Sequence, residues 1–215
     1  MSQPDPSANL ITAITDLQEE AALALVRQRL DAGDDPLLII KDCQEGLRQV
    51  GLLFERQEYY LSGLIMGGEI FREVMELVQP VVERQVSGKA SGRILLGTVE
   101  GDIHDLGKNI VSVLLGCHNF AVHDLGVDVP PTTFAEQATQ FRPHVVGLSG
   151  LVASAYEAMR ETVVLLRNQG YGGPIVIGGG QLSETVCQYV GADYWTTDAV
   201  DGVELCSRLI AAAGQ

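Results

Sequence analysis

A histidine flanked by acidic residues is the clearest candidate for chemistry in this sequence. His104 lies in the segment Gly101–Gly107, with Asp102 two residues before it and Asp105 directly after it. A metal-bound histidine usually donates its other ring N–H to a carboxylate, which fixes the tautomer and makes the ligating nitrogen more basic. Asp102 is placed to be that carboxylate. The alternative is a solvated turn in which an aspartate caps the following helix.

The residues near His104 argue against a zinc site. Zinc takes three or four protein ligands, and Cys117, His118 and His123 lie too far along the chain to complete such a set. A single histidine is enough if a macrocycle supplies the in-plane donors of the metal. The chain shows no convincing nucleophile–base pair, so no catalytic residue is predicted.

Two further segments have an unusual composition. Ser149-Gly150-Leu151 and Gly178-Gly179-Gly180 each follow a short apolar run. These segments would suit a slot for a long, narrow ligand, because Ser149 offers a hydroxyl group and the glycines leave the backbone nearly bare. The alternative is that these glycines only allow tight turns.

The second half of the chain alternates short apolar runs with helical patterns. The five runs begin at Ile94, Phe120, Val145, Pro174 and Tyr194. This alternation predicts a parallel sheet with helices on both faces. Ligands of such sheets bind at the carboxyl ends of the strands, where the connections reverse direction. The loop of His104 and the two glycine-containing segments are therefore expected to meet at one edge.

The first half has a helical period from Leu10 to about Val86. Pro36 marks the start of a helix, and Pro80 is expected to end another, leaving a short fourth helix. The segment Ser87–Gly92 is small, polar and typical of a flexible linker.

These patterns predict an α/β protein with two domains. Residues 1–88 would form an N-terminal four-helix bundle. Residues 89–215 would form a doubly wound, flavodoxin- or Rossmann-like domain with a five-stranded parallel sheet.

The charge of the chain excludes one class of function. A formal net charge of −14 and a pI near 4.5 argue against a nucleic-acid-binding protein, which needs a basic face. The N-terminus resembles no signal peptide, and the apolar runs are too short to span a bilayer. We therefore expect a cytoplasmic protein with no membrane partner.

The three loops together resemble the signature of cobalamin-binding domains, D-x-H-x-x-G followed by S-x-L and G-G. This signature is shared by methionine synthase, the corrinoid proteins of methylotrophic methyltransferases and certain B12 mutases. The matching residues here are Asp102, His104, Gly107, Ser149, Leu151, Gly178 and Gly179. Within the helical half, Glu58–Phe71 is most similar to the stand-alone corrinoid proteins that serve methylamine, methanol and aryl-ether demethylation.

The resemblance implies a cofactor and its mode of binding. The cofactor would be cobalamin, as methylcobalamin, cob(I)alamin or a related corrinoid, with its benzimidazole base detached from cobalt. His104 would be the lower axial cobalt ligand, Asp102 would tune it, and Ser149 would meet the buried tail of the cofactor. The implied cofactor contacts of this domain are Asp102, Ile103, His104, Gly107, Ser149, Leu151, Gly178, Gly179 and Gly180.

The helical half resembles the cap that shields the methyl group in methionine synthase-like proteins. Phe54 and Leu61 match the covering residues, and ordinary positions in the bundle core are the alternative for both. Two positions depart from the pattern. Ala155 replaces the serine that completes a proton relay in methionine synthase, so Ser154 or a water would have to substitute. Gln57 stands where many relatives have glycine.

The resemblance implies a methyl carrier that is not catalytic alone. It would shuttle a methyl group between a substrate:corrinoid methyltransferase and a methylcorrinoid:acceptor methyltransferase with a folate or thiol acceptor, and a reductive activase would serve it. Opening of the cap would require a hinge, for which Ser87–Gly92 is the candidate.

Two other hypotheses are a cobalamin-binding subunit of an adenosylcobalamin mutase and a B12-based sensor. A mutase needs a substrate barrel, and a sensor needs a basic DNA-binding module, which the acidic first half does not resemble. The bound corrinoid distinguishes the classes, because a carrier takes methyl or hydroxo forms and the others take the adenosyl form.

Overall fold

The computed structural model of the chain describes residues 6–85 and 90–213. It separates into two compact units, Met1–Gln85 and Val86–Gln215. The predicted domain boundary after residue 88 and the first half of the predicted hinge, residues 87–89, lie outside the described residues. Gly92, the expected end of the linker, instead begins the first strand and is buried. A Cβ at this position would lie 2.8 Å from Ile210, so the residue is packed against the last helix.

The described part of the first unit consists of four α-helices. They are α1 (Pro6–Thr15), α2 (Glu19–Asp31), α3 (Pro36–Glu55) and α4 (Leu61–Gln85). Pro36 begins α3 as predicted, and the carboxylate of Asp35 accepts a hydrogen bond from the Leu37 amide at 2.9 Å. Buried aliphatic side chains from all four helices form the core of this unit, among them Leu10, Val26, Ile39, Val50, Ile70 and Val74.

Two helix boundaries differ from the sequence prediction. Pro80 does not end a helix, because α4 continues through it to Gln85. Proline removes one backbone hydrogen bond of the helix, but Pro80 is exposed while Val78 and Val82 on either side are buried in the core. Because both valines are packed in the core, the helix continues without a break at Pro80. Near the N-terminus, Leu17 adopts a left-handed conformation with φ 55°, which separates α1 from α2.

The connection between α3 and α4 is held by two local features. Gln57 has a φ of 62°, a left-handed conformation that glycine adopts more easily than other residues. The departure from the family pattern at this position therefore keeps the turn and places glutamine in a glycine-like conformation. The Tyr59 hydroxyl donates a hydrogen bond to the carbonyl of Thr15 at 2.9 Å, which ties the turn to the end of α1.

The second unit alternates strands and helices. Its strands are β1 (Gly92–Thr98), β2 (Phe120–Asp124), β3 (Val145–Ser149), β4 (Ile175–Gly178) and β5 (Tyr194–Thr196). Its helices are α5 (Leu106–Cys117), α6 (Pro131–Phe141), α7 (Ala155–Asn168), α8 (Glu184–Val190) and α9 (Ala199–Ala213).

All the strand pairs of this sheet are parallel, in the order β2-β1-β3-β4-β5. The predicted class, a helical bundle followed by a doubly wound five-stranded parallel sheet, is thus confirmed. The register aligns Thr98 with Ser149 and Ser149 with Gly178, so the three candidate loops leave the sheet at one edge. The connection after β1 leads to β2 on one side of β1, and the connection after β2 leads back to β3 on the other side. Such sheets bind ligands where the strand order changes direction in this way, which here is between β1 and β3.

No helix within the described residues is long and apolar enough to cross a membrane.

Candidate functional site

The ring of His104 is fixed by Asp102. Its Nδ1 lies 2.7 Å from Asp102 Oδ1, and the His104 backbone amide donates to the same oxygen at 2.9 Å. The histidine side chain is 52% exposed, whereas the aspartate side chain is 0% exposed. The pair therefore combines a buried carboxylate with an imidazole that reaches the surface.

The second oxygen of Asp102 is held by the loop that follows β3. Asp102 Oδ2 accepts hydrogen bonds from the backbone amides of Leu151 at 2.6 Å and Val152 at 3.2 Å. One carboxylate therefore joins the loop after β1 to the loop after β3, across 49 residues of sequence. This contact brings two of the three predicted loops together.

Asp102 is ionised in this setting. Burial on its own would raise the pKa of the carboxyl group, but the hydrogen bonds from His104, Leu151 and Val152 outweigh burial and lower the pKa to about 2. With Asp102 ionised, the hydrogen in the 2.7 Å contact belongs to Nδ1 of the histidine. In the neutral imidazole, Nε2 then carries the lone pair that can bind a metal.

The structure answers the question raised by the missing relay serine. Ala155 is fully buried, and Ser154 is an exposed residue at the start of α7 whose side chain makes no capping hydrogen bond. Within the described residues, the partners of the Asp102 carboxylate are the ring of His104 and the three backbone amides of residues 104, 151 and 152. Ser154 does not take the place of the relay serine in this arrangement.

Hydrogen bonds from Thr98 and Asp128 fix the backbone of the loop that carries His104. The Thr98 hydroxyl, which is fully buried, donates to the carbonyl of His104 at 3.1 Å. Asp128 holds the other end of the loop, because its carboxylate accepts the Gly101 amide at 2.8 Å and its own amide donates to the Asp102 carbonyl at 3.0 Å. These contacts and the buried carboxylate exclude the interpretation of the segment as a merely solvated turn.

The glycines of the predicted slot serve different purposes. A Cβ at Gly179 would lie 2.0 Å from the carbonyl oxygen of Gly150, so only glycine fits the close approach of these two loops. A Cβ at Gly178 or at Gly107 would meet no atom within 4 Å. A Cβ at Gly180 would lie 3.7 Å from Leu151, an ordinary contact. Gly107 and Gly178 therefore leave backbone open to a ligand, and Gly179 holds the edge together.

The donor set suits a metal that brings most of its own ligands. Among the described residues, no group of three or more His, Cys, Asp or Glu side chains could hold a metal ion. One oriented imidazole beside open glycine backbone matches a macrocyclic metal complex that requires a single protein ligand. The partly buried Ser149 ends β3 next to Gly178 in the sheet register. The residues present thus fit a corrinoid.

The helical unit exposes the two predicted cap residues. Phe54 is 39% exposed and Leu61 is 63% exposed, so the alternative that both are ordinary core residues is wrong. Ile65 lies one turn after Leu61 on α4 and is 66% exposed. Exposed apolar side chains at this spacing form a surface suited to contact with an apolar partner.

Sequence reasoning named Leu151 as a cofactor contact, but it missed that the amides of Leu151 and Val152 hold Asp102, and it missed the buried Lys108 after the motif glycine. The amides of Leu151 and Val152 carry no signal, because every residue has an amide and their role depends on the fold. Lys108 is 4% exposed, although lysine is rarely buried without a partner. The signal available in the sequence was a lysine in a largely apolar helix, directly after Gly107 of the D-x-H-x-x-G motif.

Comparison with known proteins places the chain in a family. Two family models, each described as a B12 binding domain, match residues 92–204 and residues 7–79. The dimethylamine corrinoid protein 1 of Methanosarcina acetivorans is 31% identical over 213 residues, which cover 98% of this chain and 100% of the relative.

Two solved structures extend this likeness. The monomethylamine corrinoid protein of Methanosarcina barkeri is 26% identical with a TM-score of 0.78, over 92% of this chain and 94% of that one. A chain of the methanol:cobalamin methyltransferase complex of Methanosarcina barkeri is 25% identical with a TM-score of 0.55, over 98% of this chain and 81% of that one.

The fold and the site define a corrinoid-binding protein whose cofactor is cobalamin or a related corrinoid. The chain belongs to the family of corrinoid proteins that work with methyltransferases. The family resemblance predicted from the three loops is confirmed. The roles of the individual residues remain predictions.

Replacing Gly179 with alanine should destabilise the second unit, whereas the same change at Gly178 should not. The new methyl group would collide with the Gly150 carbonyl, at a cost of about 2 kcal/mol or more in the free energy of unfolding. At Gly178 it would enter open space, with an effect within about 0.5 kcal/mol. Urea unfolding of the two apo variants measures the difference. Equal stabilities would contradict the close approach of the two loops.

Proposed function

We propose that this protein carries a methyl group between two methyltransferases on a corrinoid bound base-off, with His104 as the lower axial ligand of cobalt. The observation that carries the proposal is the contact of His104 with a buried, ionised Asp102, which leaves Nε2 of a half-exposed ring available. Such a carboxylate partner is typical of metal-bound histidines.

The residues around this pair have distinct roles in the proposal. Gly107 and Gly178 would leave room for the corrin and its detached tail, and Ser149 would offer a hydroxyl to that tail. Ile103, which is 73% exposed next to His104, would lie against the lower face of the corrin. The corrinoid would supply the methyl-transfer chemistry, and His104 with Asp102 would set the basicity of the protein ligand that holds it.

The partners would be methyltransferases. The solved relative in the methanol:cobalamin methyltransferase complex supports a first partner that loads the corrinoid from a small methylated substrate. The dimethylamine corrinoid protein supports a methylated amine as one class of donor. A second methyltransferase with a folate or thiol acceptor would remove the methyl group, and a reductive activase would restore the cofactor after oxidation.

The helical unit favours the carrier over a mutase subunit or a sensor. Its match to a B12 binding domain over residues 7–79 and its exposed apolar residues suit a cap over the methyl group. We assign Phe54 and Leu61 to that cap. A mutase subunit would not need such a cap, and a sensor would need a basic DNA-binding module, which the acidic first half of the chain does not resemble.

Replacing His104 with alanine should weaken binding of hydroxocobalamin, because the axial ligand would be lost. We expect the dissociation constant, measured by titration of the apo protein in the visible range, to rise at least roughly tenfold. His118→Ala is the matched control, since the Nδ1 of the His118 ring lies 2.8 Å from the carbonyl of Leu114, at the far end of α5 from the His104 loop. If both variants bind like the unmodified protein, the assignment of His104 is wrong.

Replacing Leu61 with alanine should open the upper face of a bound methylcobalamin. We expect photolysis of the loaded protein to accelerate roughly twofold or more, because solvent would reach the bond that the side chain shields. Leu38→Ala is the control, since Leu38 is an equally prominent leucine of the same unit at 54% exposure, in the first turn of α3. Equal photolysis rates for the two variants would remove Leu61 from the cap.

A further inference from the structure

Lys108 is a buried positive charge four residues after His104. It lies in the first turn of α5, directly after the motif glycine, and its side chain is 2% exposed. An ammonium group is costly to bury unless it is paired and hydrogen-bonded. The rest of α5 is largely apolar, so the fold could have accommodated an aliphatic side chain at this position.

The ammonium of Lys108 is neutralised by the last residue of β2. Its Nζ donates to Asp124 Oδ2 at 2.5 Å and to Asn109 Oδ1 at 2.7 Å. The other oxygen of Asp124 accepts the amide of Gly126 at 2.9 Å. The pair therefore joins the start of α5 to the end of β2 and to the loop that follows it.

The start of α5 has no conventional cap. Asp105 is in the N-cap position, but its side chain makes no capping hydrogen bond. Its carboxylate instead accepts a hydrogen bond from the side chain of Asn109 at 3.0 Å. The usual interaction that fixes a helix start is absent, and the contact of Lys108 with Asp124 anchors the first turn in its place.

This anchor connects to the backbone that carries His104. Helix α5 begins at Leu106, two residues after the histidine, so the position of its first turn limits where the ring can lie. From the other side, the carbonyl of Gly126 accepts the amide of Thr98 at 2.9 Å, and Thr98 holds the His104 carbonyl. The end of β2 thus contacts the first turn of α5, and the loop after β2 contacts Thr98 and the Gly101 end of the histidine segment.

We propose that Lys108, through its ion pair with the partly exposed Asp124, is a positioning residue that sets the place of the axial histidine. This proposal rests on the proposed function, since it takes His104 as the ligand of cobalt. The Nζ of Lys108 is engaged by Asp124 and Asn109, so its role would be exerted through the helix and not by contact with the cofactor. Its role is to hold the first turn of α5, so that the imidazole is presented at a fixed distance from the sheet edge.

The test compares three variants in three measurements. Lys108→Met removes the charge and keeps most of the volume. In Lys108→Met/Asp124→Asn neither side chain is charged, and the acceptor for the Gly126 amide is kept. Arg167→Met is the control, because Arg167 forms an ion pair with Asp193 at 2.6 Å near the starts of β4 and β5, away from the histidine loop. Each apo protein, made with ¹⁵N-labelled histidine, is unfolded in urea and titrated with unlabelled hydroxocobalamin, and the loaded, reduced cobalt(II) form is examined by electron paramagnetic resonance.

If Lys108 positions the histidine, both Lys108 variants should bind hydroxocobalamin about tenfold more weakly or worse. Their nitrogen hyperfine splitting should broaden or give way to that of the cofactor's own base. The double variant should regain some stability over Lys108→Met, because Asp124 no longer leaves an unpaired charge beside the new apolar side chain, yet it should not regain affinity. Arg167→Met should lose stability and bind within roughly twofold of the unmodified protein.

Two outcomes overturn the inference, and a third addresses its foundation. If affinity follows stability across all three variants, or if the double variant binds like the unmodified protein with an unaltered spectrum, Lys108 is only a structural residue. If the unmodified protein itself shows no histidine nitrogen on cobalt, the proposed function fails first, and the inference about Lys108 falls with it.

Discussion

The ionised carboxylate of Asp102, buried at the edge of the sheet, is the interaction on which the rest of the site depends. A buried charge must be satisfied, and this one accepts hydrogen bonds from His104 on one side and from the amides of Leu151 and Val152 on the other. The loop after β4 approaches the loop after β3 at the same edge, because Gly179 lets its backbone come close to that of Gly150. The same carboxylate that orients the imidazole therefore also closes the edge of the sheet.

The amides that hold Asp102 differ in kind from a hydroxyl group. A serine can give and accept a proton, whereas a backbone amide only donates a hydrogen bond. With Ala155 in the relay position and the amides of Leu151 and Val152 on Oδ2, the structure favours a permanently charged partner for His104. A fixed negative charge next to the ring would keep the ligating nitrogen basic throughout methyl transfer, which suits a carrier that presents the same site to successive partners.

The sequence predicted features that depend on local chemistry and missed those that depend on distant contacts. The five strands, the start of α3 at Pro36 and the pairing of Asp102 with His104 all follow from periodicity, proline geometry or close spacing. The continuation of α4 through Pro80 could not be predicted from local sequence, because the burial of Val78 and Val82 outweighs the tendency of proline to end a helix. Asp124, the partner of Lys108, is 16 residues away in sequence, and Leu151, a partner of Asp102 Oδ2, is 49 residues away. Only the folded sheet brings these residues together.

The identity of the lower axial ligand tests the account most directly. The protein would be produced with ¹⁵N-labelled histidine, loaded with unlabelled cobalamin, and reduced to the cobalt(II) state for electron paramagnetic resonance. We predict hyperfine doublets from the labelled imidazole of His104, and triplets from the same protein made without the label. Triplets that persist in the labelled protein would mean that the benzimidazole base stays on cobalt, and the role assigned to His104 and Asp102 would be wrong.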